Sequence, residues 1–325
     1  MLLILLKIFF GGIFCLYMGG ETLVKVATNF AMNLRVSPVV IGLTFIAWST
    51  SMPEGVSSLM AQFQGERGDI AIGNIFGSNI ANLAFVLGLS VFVCPIKVVD
   101  RVKKRDMPIM LGATFFTTIL LFVCQGFLNR YVSILIFLGF LFYLWFQLKH
   151  AEEIESADEE HLQTDLYGEF REGKQDYVSQ GLNLSLAILL LVGGSYFLVD
   201  GAVELAQLFG MSDRVIGLTV VALGSSAPEL ATSLVAAFRG HGDDFTLGGI
   251  IGSNVFNLLF IIGVVGIIYP IHYSMTLVFW DATWMIAITL LFWYLVSKRE
   301  RLGHKEGLLL LSSYGIYIFS LFFVR

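Results

Sequence analysis

Two apolar stretches, 38–63 and 215–238, each enclose a polar hexapeptide that ends in a carboxylate, and the two copies are offset by 175 residues. The first is Ser49-Thr50-Ser51-Met52-Pro53-Glu54 and the second is Gly224-Ser225-Ser226-Ala227-Pro228-Glu229. Set against itself at that offset from Val40 to Gly88, the chain aligns without a gap and about half the positions are identical. Gly42/Gly217, Thr44/Thr219, Ala47/Ala222, Ser58/Ser233, Asp69/Asp244 and Gly73/Gly248 are among them, which chance does not supply. The fold must therefore contain two related halves that place the same polar group in the same apolar surroundings. An acid at the centre of a membrane-length segment costs roughly 2.5–3.5 kcal/mol, so such groups are expected to be functional.

Composition decides whether these stretches are membrane spans. With 56% hydrophobic residues, 14% charged residues and a mean hydropathy of +0.79, the chain is more apolar than a soluble core can hide. Ten apolar runs are near or above the roughly 20 residues a bilayer core requires: 2–28, 38–63, 69–93, 107–126, 130–148, 180–209, 214–238, 244–269, 275–297 and 306–323. The first lacks a cleavage-site pattern before Glu21 and reads as a retained helix. Lipid leaves helices as the way to satisfy these backbones, so the fold class is all-α integral membrane. Cys15, Cys94 and Cys124 have neither ligand nor disulfide spacing and read as packing residues.

Orientation follows from Lys and Arg in the connections. With the N-terminus outside, the inner loops hold Arg35, the cluster Lys97 to Arg105, Lys149, Arg171, Lys174, Arg239 and the run Lys298 to Lys305. The outer side keeps Arg67, Arg130, Arg214 and Arg325, so both termini are expected outside. Five spans, in residues 1–149, precede an acidic linker, 150–179, expected on the cytoplasmic side; five follow in 180–325. Because five is odd, the second half enters the membrane from the other side. Inverted repeats with polar, broken helices at the midplane are the architecture of secondary transporters.

A second pair of motifs completes the constellation: Gly77-Ser78-Asn79-Ile80-Ala81-Asn82 and Gly252-Ser253-Asn254-Val255-Phe256-Asn257. Spacing of four puts Ser78 with Asn82, and Ser253 with Asn257, on one helical face; Thr50 and Glu54 share a face likewise. Pro53 and Pro228 remove a backbone donor and crowd the carbonyl four residues back, so a kink is expected that frees oxygens around Ala47 and Ala222. The pooled donors are carboxylates, carboxamides, hydroxyls and carbonyls, all hard oxygens. They suit Na⁺ and Ca²⁺ better than Mg²⁺, zinc or copper. Two glutamates give the empty site a charge of −2, which one Ca²⁺ balances and three Na⁺ exceed by one, so such an exchange carries current. The bland alternatives are hydroxyls bonded back to the preceding turn and asparagines acting as interhelical glue. Asn79 and Asn254 read as caps or braces of a helix break beside Gly77 and Gly252.

These paired motifs resemble the α-repeats of the sodium/calcium exchanger branch of the cation/calcium antiporters, with their Gly-Thr-Ser-x-Pro-Glu and Gly-Ser-Asn-x-x-Asn/Asp patterns. The resemblance covers essentially the whole chain. It implies ten transmembrane helices in two inverted five-helix repeats and exchange of Na⁺ for Ca²⁺ across a plasma (bacterial inner) membrane. It further implies that Glu54 and Glu229 bridge the ions, that Thr50, Ser51, Ser78, Ser225, Ser226 and Ser253 complete flanking Na⁺ sites, that Ala47 and Ala222 give carbonyls, and that Asn82 and Asn257 sit in the middle. The first and sixth helices, aligned as Gly19 with Gly201, would slide across the other eight on glycine faces. Ser49 and Ser225 depart from the pattern while keeping a small or hydroxyl residue. Asn at both 82 and 257, where members using K⁺ or protons often carry Asp, favours simple Na⁺/Ca²⁺ exchange. Ca²⁺/H⁺ antiport through Glu54 and Glu229 and K⁺-dependent exchange stay open. Asp200, Glu204 and Glu21 read as carboxylates reaching an aqueous interface. The partners implied are the two ions and membrane lipid, with no cofactor and no nucleic acid. All five histidines fall in loops away from the glutamates, which disfavours an enzyme. A channel would need weak sequential sites in place of paired midplane acids.

Overall fold

The computed structural model describes residues 1–34, 42–63, 68–150, 177–209, 222–238 and 245–321, and these are helical apart from four two-residue strands. The helices are α1 (2–34), α2 (42–63), α3 (Gly68–Val93), α4 (Val102–Val123), α5 (Arg130–Lys149), α6 (Tyr177–Leu208), α7 (Ala222–Ser225), α8 (Ala227–Phe238), α9 (Leu247–Ile268), α10 (Met275–Lys298) and α11 (His304–Leu321). Seven of them, α1, α3, α4, α5, α6, α9 and α10, are long and apolar enough to cross a membrane. Ten were expected. The runs 38–63 and 214–238 fall partly outside the described residues, and α11 opens on His304, Lys305 and Glu306, which lower its apolar character. The linker and the partners Gly217, Thr219 and Asp244 also lie outside the described residues.

Burial separates a centre from a rim. The apolar windows of α3 and α9 are 78% and 83% buried, against 28% for α5 and 17% for α1 and α6. Helices that are apolar all round belong in an interior, and α3 and α9 are the two that carry the Gly-Ser-Asn motifs. Each is held by a helix from the other half. A Cβ on Gly88 would lie 3.1 Å from Leu310 Cβ on α11, and one on Gly263 would lie 2.9 Å from Phe137 Cβ on α5. On the rim, α1 and α6 pack backbone to backbone: a Cβ on Gly12 would lie 2.9 Å from Leu198 Cβ, and one on Gly194 2.9 Å from Leu16 N.

Two ribbons tie the halves. β1 (Ile96–Lys97) pairs antiparallel with β4 (Arg301–Leu302), and β2 (Phe127–Leu128) with β3 (Ile271–His272). Because α4 runs from β1 to β2, the ribbons close opposite ends of the molecule. Lys97, Arg101, Lys103, Lys104, Arg105, Lys298, Arg299, Arg301 and Lys305 gather at the first ribbon, against Arg130 at the second.

The irregularities fall beside the motifs, though not where proline alone would put them. Pro53 sits inside a continuous α-helix, Ala47–Phe63, and the distortion lies one turn upstream, as a π-helical stretch at Gly42–Ile46. In the second copy the helix does break, at Ser226 between α7 and α8. Two further π-helical stretches, Asn82–Val86 and Phe256–Ile261, open at or beside the paired asparagines Asn82 and Asn257. Such bulges are frequent at functional sites. The expected break beside Gly77 and Gly252 is absent, since both glycines lie within regular helix.

Candidate ion-binding site

The helix α2 brings Ala47, Thr50, Ser51 and Glu54 to the centre, α3 brings Ser78 and Asn82, α8 brings Glu229, and α9 brings Ser253 and Asn257. Ser226 lies at the break before α8, and the backbones of Ala222 and Ser225 lie in α7. Glu54 and Glu229 are 1% and 2% exposed, so neither carboxylate reaches solvent. Thr50 Oγ1 and Ser253 Oγ lie 3.3 Å apart across the two halves, and Ser78 donates to Glu54 Oε1 at 3.5 Å. Thr50 also donates back to the Ile46 carbonyl at 3.1 Å and contacts that of Ala47 at 3.4 Å, so its bland role coexists with a place in the site.

What is left unpaired is informative. Among the described residues, Glu54 Oε2, both carboxylate oxygens of Glu229, both polar atoms of the Asn82 amide, Asn257 Oδ1 and the hydroxyls of Ser51 and Ser226 are buried and make no well-formed hydrogen bond. Buried polar atoms are ordinarily satisfied. An ionised carboxylate in such a place needs a counter-charge, and oxygens without donors are what a hard cation binds. A small cavity lined by Thr50, Glu229, Thr232, Ser233, Gly249 and Ser253 adjoins them.

Asn79 and Asn254 brace the two halves against each other. Asn79 Nδ2 donates to the Asn254 carbonyl at 3.3 Å and Asn254 Nδ2 to the Asn79 carbonyl at 3.2 Å. Asn257 Nδ2 donates to Asn79 Oδ1 at 3.0 Å.

The family model of the sodium/calcium exchanger protein matches residues 4–149 and 182–323, one segment for each half. The chain belongs to the sodium/calcium exchanger family. It is 36% identical over 317 residues to the putative antiporter CaxA of Alkalimonas amylolytica, covering 96% of each chain. It is 32% identical over 353 aligned positions to the sodium/calcium exchanger MaX1 of Methanosarcina acetivorans, covering 96% of this chain and 97% of that one. A structure of the sodium-calcium exchanger NCX_Mj soaked with zero Na⁺ and Ca²⁺ superposes with a TM-score of 0.79 at 29% identity, over 99% of this chain and 100% of that one. The protein is thus an all-helical integral membrane protein of an antiporter family.

Some residues escaped the sequence. Lys7 on α1 pairs with both Asp200 and, at 2.6 Å, Glu204 of α6, so these carboxylates face a cation and not water alone. Glu21 pairs with Lys25 at 2.7 Å. The repeat also extends into α4 and α10, where Asp106, Met110 and Thr114 recur as Asp281, Met285 and Thr289, all buried. Asp106 lies against Arg101 and Arg105, whereas Asp281 accepts from Tyr317 at 3.2 Å. The offset of 175 continued past Gly88 would have found this stripe. Trp48 is half-exposed and lines a cavity with Leu43, Phe140 and Phe256.

Proposed function

We propose that this chain exchanges Na⁺ for Ca²⁺ by alternating access, holding the ions between Glu54 and Glu229. The observation that carries the reading is a set of three buried carboxylate oxygens, on one acid from each half, that no donor among the described residues satisfies with a well-formed hydrogen bond. Ser51, Ser78, Thr50 and the carbonyl of Ala47 supply neutral oxygens on one side; Ser225, Ser226, Ser253 and the carbonyl of Ala222 supply them on the other. Asn82 and Asn257 close the middle. One Ca²⁺ neutralises the pair of acids, and Na⁺ ions in the flanking positions displace it.

Ten spans in two inverted halves, 1–149 and 180–325, account for the two family matches, the two ribbons and the reciprocal asparagine contacts. The gathering of basic residues at the β1–β4 end supports placing that end and the linker 150–179 in the cytoplasm, with both termini outside. The close glycine contacts of α1 and α6 let those helices move together as the sliding element.

The test is Ca²⁺ uptake into proteoliposomes loaded with Na⁺, K⁺ or acid. Uptake driven by the Na⁺ gradient alone supports the reading; uptake driven by the proton gradient replaces it with Ca²⁺/H⁺ antiport, and Na⁺-driven uptake that also requires K⁺ outside, on the side of Ca²⁺, replaces it with K⁺-dependent exchange.

A further inference from the structure

The two halves differ along the path from the central acids to the membrane surfaces. On α2, Thr50, Glu54, Ser58 and Gln62 follow at intervals of four and are all buried, between 0% and 2% exposed. This polar face runs from the site to the end of the helix at Phe63, which stacks edge-on against Tyr269 at 4.9 Å. Gly68, just beyond, backs onto the His272 carbonyl, so this end lies at the β2–β3 ribbon. Asn74 of α3 donates to Ser58 Oγ at 3.0 Å and to the Glu54 carbonyl at 3.2 Å. In the second half the matching positions are Glu229, Ser233, Ala237 and Gly249, and there the small cavity reaches Glu229. The first half carries two carboxamides, Gln62 and Asn74, where the second has Ala237 and Gly249. Among the described residues Gln62 has no hydrogen-bond partner at either its Nε2 or its Oε1, although it is 2% exposed.

We propose that Gln62, with Ser58 and Asn74, forms a transit site for a partly hydrated alkali or alkaline-earth cation between the β2–β3 face and Glu54. The inference rests on the exchanger reading and adds a station outside the central site. An unpaired carboxamide buried beside a hydroxyl and a second carboxamide offers neutral hard oxygens for the ion and an N–H donor for its remaining water. Neutral donors hold a cation weakly enough to release it inward, as a path requires. The second half, with Ala237 and Gly249, lacks both carboxamides and lines its small cavity with the hydroxyls of Thr232 and Ser233, so the two faces of one transporter differ in apparent affinity.

The test uses right-side-out and inverted membrane vesicles bearing the full chain, with radiolabelled Ca²⁺ as probe and Na⁺ as counter-ion. Gln62→Leu keeps the volume and removes the donors, and Gln62→Glu adds a charge. The expected result is that Gln62→Leu raises the Ca²⁺ concentration for half-maximal uptake about tenfold, or ~1.4 kcal/mol, on the β2–β3 face only. Gln62→Glu lowers it on the same face by a similar factor. Asn74→Gly, which copies the second half, brings the two faces closer together and serves if Gln62→Leu does not fold. Unchanged values on both faces would show that Gln62 only fills space, and equal changes on both would show that it positions α2; either overturns the proposal. A wild type without Na⁺-driven uptake on either face would instead overturn the exchanger reading, and this inference with it.

Discussion

Asn79 and Asn254 are equivalent in the repeat and unequal in the structure, which makes their substitution by alanine a sharp test of the central packing. Asn79→Ala removes a donor to the Asn254 carbonyl, at 3.3 Å, and an acceptor for Asn257 Nδ2, at 3.0 Å. Asn254→Ala removes one donor, to the Asn79 carbonyl at 3.2 Å, and also deletes an Oδ1 that is already unpaired. Interhelical hydrogen bonds in membranes are worth about 0.6 kcal/mol on average and up to about 1.7. Two of them give about 1–3 kcal/mol for Asn79→Ala and one gives about 0.6–1.7 for Asn254→Ala. The difference, near 1 kcal/mol, is about a fivefold change in the unfolding equilibrium. Reversible unfolding in mixed micelles, followed by tryptophan fluorescence, measures it. An Asn254→Ala variant as unstable as Asn79→Ala, or less stable, would refute the contact scheme.

Three further outcomes follow from the geometry. Gly12→Leu puts a side chain where a Cβ alone would already lie 2.9 Å from Leu198 Cβ, so α1 and α6 separate and exchange is lost while the other helices stay folded; transport assay and size-exclusion profile check this together. Lys7→Met leaves Asp200 and Glu204 facing each other without their cation, and a cysteine pair placed across α1 and α6 then cross-links more slowly than in the parent. Asn257→Asp adds a third acid to a buried site holding two, so it takes up a proton at low pH. Because the protonated acid matches the parent's neutral asparagine in charge, exchange by that variant is reduced at high pH and approaches the parent's as pH is lowered, measured as initial Ca²⁺ uptake across a pH series.

Much of this was legible in the chain because its signals are long or repeated. The spans α3, α4, α5, α9 and α10 fall within a few residues of their apolar runs, since lipid leaves a helix as the only way to satisfy each backbone. The contacts of Thr50 with Ser253 and of Ser78 with Glu54 join residues that the repeated motifs had already singled out. Local backbone geometry was harder to read. Pro53 announces a kink, yet packing keeps Ala47–Phe63 helical and moves the distortion to Gly42–Ile46, where no residue type marks it. Nor does a π-helical stretch at Asn82 or beside Asn257 have a side-chain signature. Long-range pairs were invisible for a different reason: Lys7 finds Asp200 and Glu204 only once α1 and α6 are side by side. Gln62 reads as an ordinary polar helix end, and only the fold shows it buried with no hydrogen-bond partner among the described residues.

The measurement that tests the account most directly is Ca²⁺ uptake by Na⁺-loaded proteoliposomes containing the parent chain, Glu54→Gln or Glu229→Gln. Each substitution keeps the shape of the side chain and halves the charge that balances Ca²⁺. The account predicts uptake by the parent that depends on the outward Na⁺ gradient and, because three Na⁺ leave for each Ca²⁺ that enters, is enhanced by an inside-positive potential and slowed by an inside-negative one, with uptake abolished in both variants. Undiminished uptake in either variant would contradict it, because the ions would then be held somewhere other than between these two acids.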